Sequence, residues 1–271
     1  MNSWTEGTVD VNGIPLHYHR TGSGDGKPQL LALHGMSENG LSWTMVAKEL
    51  EPEVEVIMPD ARGHGKSVAP SMDFTLAGAT DDVVGLMRAL GLRRPMLLGH
   101  SMGALIATAV AARHPELVSK LVLEDAPFSL GKIPFISKIL VSFWLRGWKK
   151  NDDKTPEQLR REGKAGNPTW SDEELDLWVN GEKAFARNLK TIQPTSIDFT
   201  MDWASLLPRI TCPVLLISPS RGILQWKAAL RLAPRFSGTT AEIARIENAG
   251  HVVHRDQFGP YMAALKAFCT R

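Results

Sequence analysis

Gly99-His100-Ser101-Met102-Gly103 follows the apolar run Pro95-Met96-Leu97-Leu98 and precedes a small-residue stretch carrying Ala104, Ala107, Ala109 and Ala111. A serine between two glycines at this spacing fits a very tight strand-to-helix turn. The glycines leave room for strained backbone and for close packing of the helix on the strand. Such a turn lifts the hydroxyl above the sheet edge, and the helix N-terminus behind it favours negative charge. Ser101 is therefore the candidate nucleophile.

Working outward, short apolar runs recur at residues 30–33, 54–58, 95–98, 121–123 and 213–217. Four are continuous apolar stretches and 54–58 is broken by Glu55 alone, the pattern of parallel strands covered on both faces. Amphipathic segments at 76–90 and 104–113 lie between them. The alternation predicts an α/β protein with a mostly parallel central sheet and helices on both faces. It breaks from about 128 to 208, a stretch of helical pattern with a polar loop at 149–155. That stretch holds Trp144, Trp148, Trp170, Trp178 and Trp203, five of the eight tryptophans. It is expected to be a helical lid inserted into a core made of residues 1–127 and 209–271.

A serine hydroxyl is a weak nucleophile until a base takes its proton. His251, in Asn248-Ala249-Gly250-His251, follows the strand-like residues 241–246 and is the candidate base. His254 is the competitor. Gly250 frees the loop that must present the imidazole, which favours His251, whereas His254 fits a cap or packing role at the final helix. A tetrahedral intermediate also needs two N–H donors for its oxyanion. Met102, directly after the nucleophile, offers one. Met36, in His34-Gly35-Met36 after the strand at 30–33, offers the other. Gly35, His100, Trp144, Trp148 and Trp178 are the candidate substrate contacts.

These features together resemble the α/β-hydrolase superfamily over essentially the whole chain. Asp60-Ala61-Arg62-Gly63-His64-Gly65-Lys66-Ser67 resembles the turn after that family's fourth strand, in which Asp60 and His64 are structural. Serine early and histidine late is that fold's chain order. The resemblance implies a serine hydrolase of the carboxylesterase or lactonase kind, cleaving a small to medium apolar ester or lactone through an acyl-enzyme. The same scaffold is similar to carbon–carbon bond hydrolases, thioesterases and cofactor-free haloperoxidases. Dehalogenases and epoxide hydrolases of the superfamily use a carboxylate where this chain has Ser101.

The family's acid usually follows the strand that ends here at Ile217. That position reads Ser218-Pro219-Ser220-Arg221-Gly222, and no Asp or Glu occurs between Asp202 and Glu242. Some relatives carry the acid one strand earlier, after the strand that follows the nucleophile helix. Here that strand ends in Glu124-Asp125. Asp125 is the preferred acid and Glu124 the alternative. The missing acid also keeps open a non-catalytic ligand-binding protein on the same fold.

The 271 residues are 43% hydrophobic and 22% charged, with 31 basic and 29 acidic residues and a net charge of +2. That balance argues against nucleic-acid or anionic-membrane binding. No run approaches the length of a membrane span, and no secretory leader pattern opens the chain. Cys212 and Cys269 fit neither a metal site nor a disulfide framework, so a cytoplasmic setting is expected. His17-Tyr18-His19 puts two histidines on one strand face without an evident third ligand. No metal or cofactor is expected. A small-molecule substrate is the expected partner, and self-association is left open.

Overall fold

The computed structural model describes residues 4–22, 26–70, 72–128 and 145–270. The central sheet has eight strands: β1 (Thr5–Val11), β2 (Ile14–Arg20), β3 (Gln29–Leu33), β4 (Glu55–Pro59), β6 (Met96–His100), β7 (Leu121–Glu124), β9 (Val214–Pro219) and β10 (Ala241–Ile246). Their spatial order is β1-β2-β4-β3-β6-β7-β9-β10. Only the β1–β2 and β2–β4 pairings are antiparallel; the rest are parallel. Asn12 and Gly13 join β1 to β2, and both have positive φ, 54° and 75°, as a two-residue hairpin turn of the mirror-image type requires.

Strand side chains alternate between faces, and this divides the core in two. Leu31, Leu33, Leu97, Leu121, Leu123 and Leu216 pack on one side against α2 (Leu76–Ala89) and α3 (Met102–Arg113). Leu30, Ala32, Leu98, Val122, Leu215 and Ile217 pack on the other against α1 (Thr44–Leu50) and α9 (Phe258–Cys269). The inner parallel strands are therefore mostly apolar because both faces are covered, whereas the edge strand β10 keeps Glu242 and Arg245. α3 has apolar or small residues all round, and eleven of its residues are buried.

Within 128–208 lie α4 (Pro156–Gly166), α5 (Asp172–Asn188) and α6 (Trp203–Leu206). α4 and α5 open with complete capping boxes, Thr155 with Gln158 and Ser171 with Glu174, which satisfy orphan amides at both starts. The insertion also carries one strand, which does not join the central sheet. β8 (Ile192–Asp198) pairs in parallel with β5 (Met72–Thr75) in a separate two-stranded sheet. The pairing satisfies backbone groups of a segment whose Pro194 and polar residues do not read as a strand. Two further short helices, α7 (Trp226–Leu232) and α8 (Val253–Asp256), flank β10 in the chain. Among the described residues no helix is long and apolar enough to cross a membrane.

Candidate active site

Ser101 sits between β6 and α3 with φ 51° and ψ −111°. A non-glycine residue at positive φ costs on the order of 1–3 kcal/mol and persists only where its surroundings enforce it. Here Ser101 N donates to Glu124 O at 3.0 Å, which ties the turn to β7. A Cβ on Gly99 would run into the Gly103 carbonyl, and one on Gly103 into the Leu33 carbonyl. Both glycines are thus demanded by the approach of α3 to the sheet.

His251 lies in the loop between β10 and α8. Its Nε2 is 3.0 Å from Ser101 Oγ, and its Nδ1 is 2.6 Å from Asp125 Oδ2. Asp125 follows β7 at φ 43° and is fully buried. Its carboxylate also accepts from Ile223 N at 2.9 Å and Leu224 N at 2.6 Å. The loop after β9, where the resemblance places an acid, instead contributes two backbone donors to the carboxylate one strand earlier. The imidazole is consequently fixed with Nδ1–H toward Asp125 and Nε2 free to accept from serine.

Glu124 does not serve His251, and the alternative acid is corrected. As the last residue of β7 it points to the same side as Val122, where its carboxylate meets His254 Nδ1 at 2.9 and 3.0 Å and accepts from His254 N at 3.0 Å. His254 is equally buried and packs against Trp43 and Tyr261. The two adjacent carboxylates therefore engage two different histidines.

Met36 lies in the loop after β3 and Met102 opens α3 directly after Ser101, and neither amide donates to a described residue. The loop bearing Met36 is held from three sides. His34 Nε2 accepts from Ala61 N, and Ser37 N donates to His64 Nε2 at 3.3 Å. Ser37 Oγ donates to Glu182 of α5 at 2.5 Å, and Asn151 donates to the same carboxylate. Phe185 stacks on the His64 ring at 4.4 Å, so α5 bears directly on both loops. Burial of Glu182 raises its carboxyl above the usual range despite those donors. Asp60 accepts from the Gly40 and Lys66 amides, and His64 anchors Ser37, both structural placements.

The described candidates for substrate contact each have protein neighbours of their own. His100 is buried behind the turn, with Nε2 donating to His251 O at 3.0 Å and Nδ1 facing Glu38 at 3.3 Å. Gly35 is the close-approach point for that ring, since a Cβ on it would lie 2.6 Å from His100 Nδ1. Trp178 packs in the α4–α5 hairpin against Gly163 and Trp170. Trp148 packs against Phe185, next to the Met36 loop. Trp144 lies outside the described residues. Sequence reading missed Glu38, Arg255 and Glu182, since none belongs to a local motif. Arg255 sits 2.9 Å from Glu38 and over the Trp170 ring, a contact between α8 and the inserted segment.

Burial drives the His100 imidazole down, but the charges of Glu124, Glu38 and Asp125 and the Glu38 hydrogen bond more than offset it, pushing it up to about 9. His64 is driven down to about 3, chiefly by burial and by its neighbour His34. The two shifts have opposite consequences for stability. The contribution of His100 is complete below its ordinary 6.5 and is lost as pH rises toward about 9. His64 opposes folding increasingly as pH falls from 6.5 toward about 3, because the unfolded chain then binds a proton that the native state refuses. Denaturant midpoints measured across pH should therefore peak near neutrality, and His100→Gln should flatten the alkaline limb. A midpoint that climbs steadily from neutral to alkaline pH would contradict the charge assignment of His100.

Known proteins share this arrangement of chain. The family model for the alpha/beta hydrolase fold matches residues 28–254. N-formylmaleamate deformylase of Pseudomonas putida is 30% identical over 97% of this chain and 95% of its own length. Epoxide hydrolase 1 of Caenorhabditis elegans is 24% identical over 100% of this chain and 72% of its own. Among solved structures, an enol-lactonase from Burkholderia xenovorans superposes with a TM-score of 0.72 at 22% identity, covering 98% of this chain and 100% of that one. The tight serine turn, the strand order and the match over most of the sequence agree, and the chain belongs to the α/β-hydrolase fold family.

Proposed function

We propose that the chain is a serine hydrolase that cleaves a carboxylic ester or lactone of a small to medium apolar substrate through an acyl-enzyme on Ser101. The observation that carries this reading is the continuous relay Ser101 Oγ–His251 Nε2 and His251 Nδ1–Asp125. It also favours an enzyme over a non-catalytic binder, because Asp125 stands against His251 Nδ1 although no acid follows Ile217.

In the proposed cycle, His251 takes the Ser101 proton as Oγ attacks the carbonyl carbon. The developing oxyanion is held by the Met36 and Met102 amides, the latter at the N-terminus of α3. The imidazolium formed, stabilised by Asp125, protonates the leaving alkoxide. Water then enters, His251 takes its proton as the oxygen attacks the acyl carbon, and the imidazolium returns a proton to Ser101 Oγ as the C–Oγ bond breaks and the acid leaves. The segment 128–208 acts as the lid, with Trp148 and Phe185 supplying apolar surface beside the Met36 loop. No cofactor enters any step, and the two free cysteines suit a reducing, cytoplasmic compartment. Epoxide opening is not proposed, since Ser101 stands where that chemistry uses a carboxylate.

A second reading is amide-bond hydrolysis of an N-acyl or N-formyl substrate, favoured by the deformylase relative that spans nearly the whole chain. The same relay serves it, with the leaving nitrogen protonated by His251. Rates on short p-nitrophenyl esters, ring lactones, N-formyl amides and emulsified triglyceride separate the readings. Ester or lactone turnover with a burst of one product equivalent is expected. Turnover confined to N-formyl amides would transfer the assignment to the second reading, and a clear preference for emulsions would overturn the apolar small-substrate proposal.

A further inference from the structure

The hairpin at the sheet edge gathers three metal-binding side chains that the proposed hydrolysis does not use. Glu6 of β1 pairs directly with His19 of β2, and His17 lies two residues along on the same face. Glu6 Oε2 is 3.1 Å from His17 Nε2 and 3.9 Å from His19 Nδ1, and all three donor atoms fall within 4.8 Å of one another. Donors on one tetrahedral ion lie roughly 3–3.5 Å apart, given bonds of about 2.0–2.2 Å. Small side-chain rotations therefore complete the set. Read along the chain, His17 and His19 lack a third ligand; the hairpin register supplies it in Glu6.

We propose that Glu6, His17 and His19 form a binding site for a divalent transition-metal ion, with solvent completing the coordination. Two imidazoles and one carboxylate suit zinc, nickel or copper. A second feature supports the assignment. His17 Nδ1 faces Asp60 Oδ2 at 3.0 Å, the carboxylate-behind-histidine arrangement that fixes a ligand's tautomer and turns Nε2 toward the ion. Asp60 is itself held by two backbone amides, so this outer support is rigid. His17 is buried and His19 is half-buried, while Glu6 opens to solvent and gives the ion an entry path.

Lys66 competes with the ion for Glu6. Lys66 Nζ lies 2.7 Å from Glu6 Oε2, on a largely exposed side chain free to swing into solvent. The bound ion would clamp the edge strand β1 to β2 and to the turn at Asp60.

Calorimetric titration of the full chain with zinc chloride tests the site. One zinc ion per chain is expected. Glu6→Gln and His19→Ala, both outside the buried core, should lose that binding, while Lys66→Ala should bind more tightly. His251→Ala should bind as the parent does, which separates this site from the histidine beside Ser101. Absence of binding, binding that survives in both Glu6→Gln and His19→Ala, a Lys66→Ala site no tighter than the parent, or loss in His251→Ala would overturn the proposal.

Discussion

Ser101→Ala is expected to lower kcat by on the order of 10⁶ while leaving the circular dichroism spectrum unchanged, and His251→Ala should come close to the same loss. A loss of that size corresponds to about 8 kcal/mol of transition-state stabilisation. The two residues act as one unit, with 3.0 Å between Oγ and Nε2, so removing either leaves only oxyanion donors and binding. The fold should tolerate alanine at 101, because the positive φ is imposed by Gly99, Gly103 and the Glu124 carbonyl. His254→Ala should act differently. It strips Glu124 of its buried partner and so lowers stability, with a far smaller effect on the rate of whatever folds. If folded His254→Ala loses as much rate as His251→Ala, the base has been misassigned.

The second large effect concerns the acid. Asp125→Asn should lower kcat by roughly 10²–10⁴, because the amide cannot stabilise the imidazolium and disturbs its tautomer. It also disrupts the acceptance from Ile223 and Leu224 that positions the carboxylate. Glu124→Gln should stay within about tenfold in kcat, as for a residue that makes no transition-state contact. Its cost falls on folding, on the order of 3 kcal/mol for a broken buried pair. Rates and denaturant midpoints of both variants check the division. A crippled, well-folded Glu124→Gln beside a near-normal Asp125→Asn would reverse the roles of the two carboxylates.

That the acid could be placed from sequence at all rests on an absence. The interval from Asp202 to Glu242 holds no carboxylate, so the imidazole's partner has to come from another strand end. Choosing between Glu124 and Asp125 is harder, because adjacent residues at a strand end point to opposite faces and a shift of one residue exchanges them. The structure ends the strand at Glu124 and turns the chain at Asp125 with positive φ, which no sequence pattern at that point announces. The nucleophile turn was legible because its glycines answer a local packing demand. The charges around it were not. Glu38, His100, Glu124 and Arg255 meet across 217 positions of chain, and single-residue signals do not report such distant pairings. Trp178 shows the same limit in a helix. Its spacing from Leu175 marks a packed face, but the face meets Gly163 of the neighbouring helix and not the site. Glu6 is the mirror case, an ordinary exposed carboxylate until the hairpin sets it opposite His19.

The central claim is that Ser101 is an activated nucleophile, and reaction with a fluorophosphonate followed by intact-mass and peptide-level mass spectrometry tests it most directly. One adduct per chain on the peptide containing Ser101 is predicted, absent in Ser101→Ala and strongly slowed in His251→Ala. A chain that remains unlabelled, or that is labelled equally well in Ser101→Ala, would contradict it.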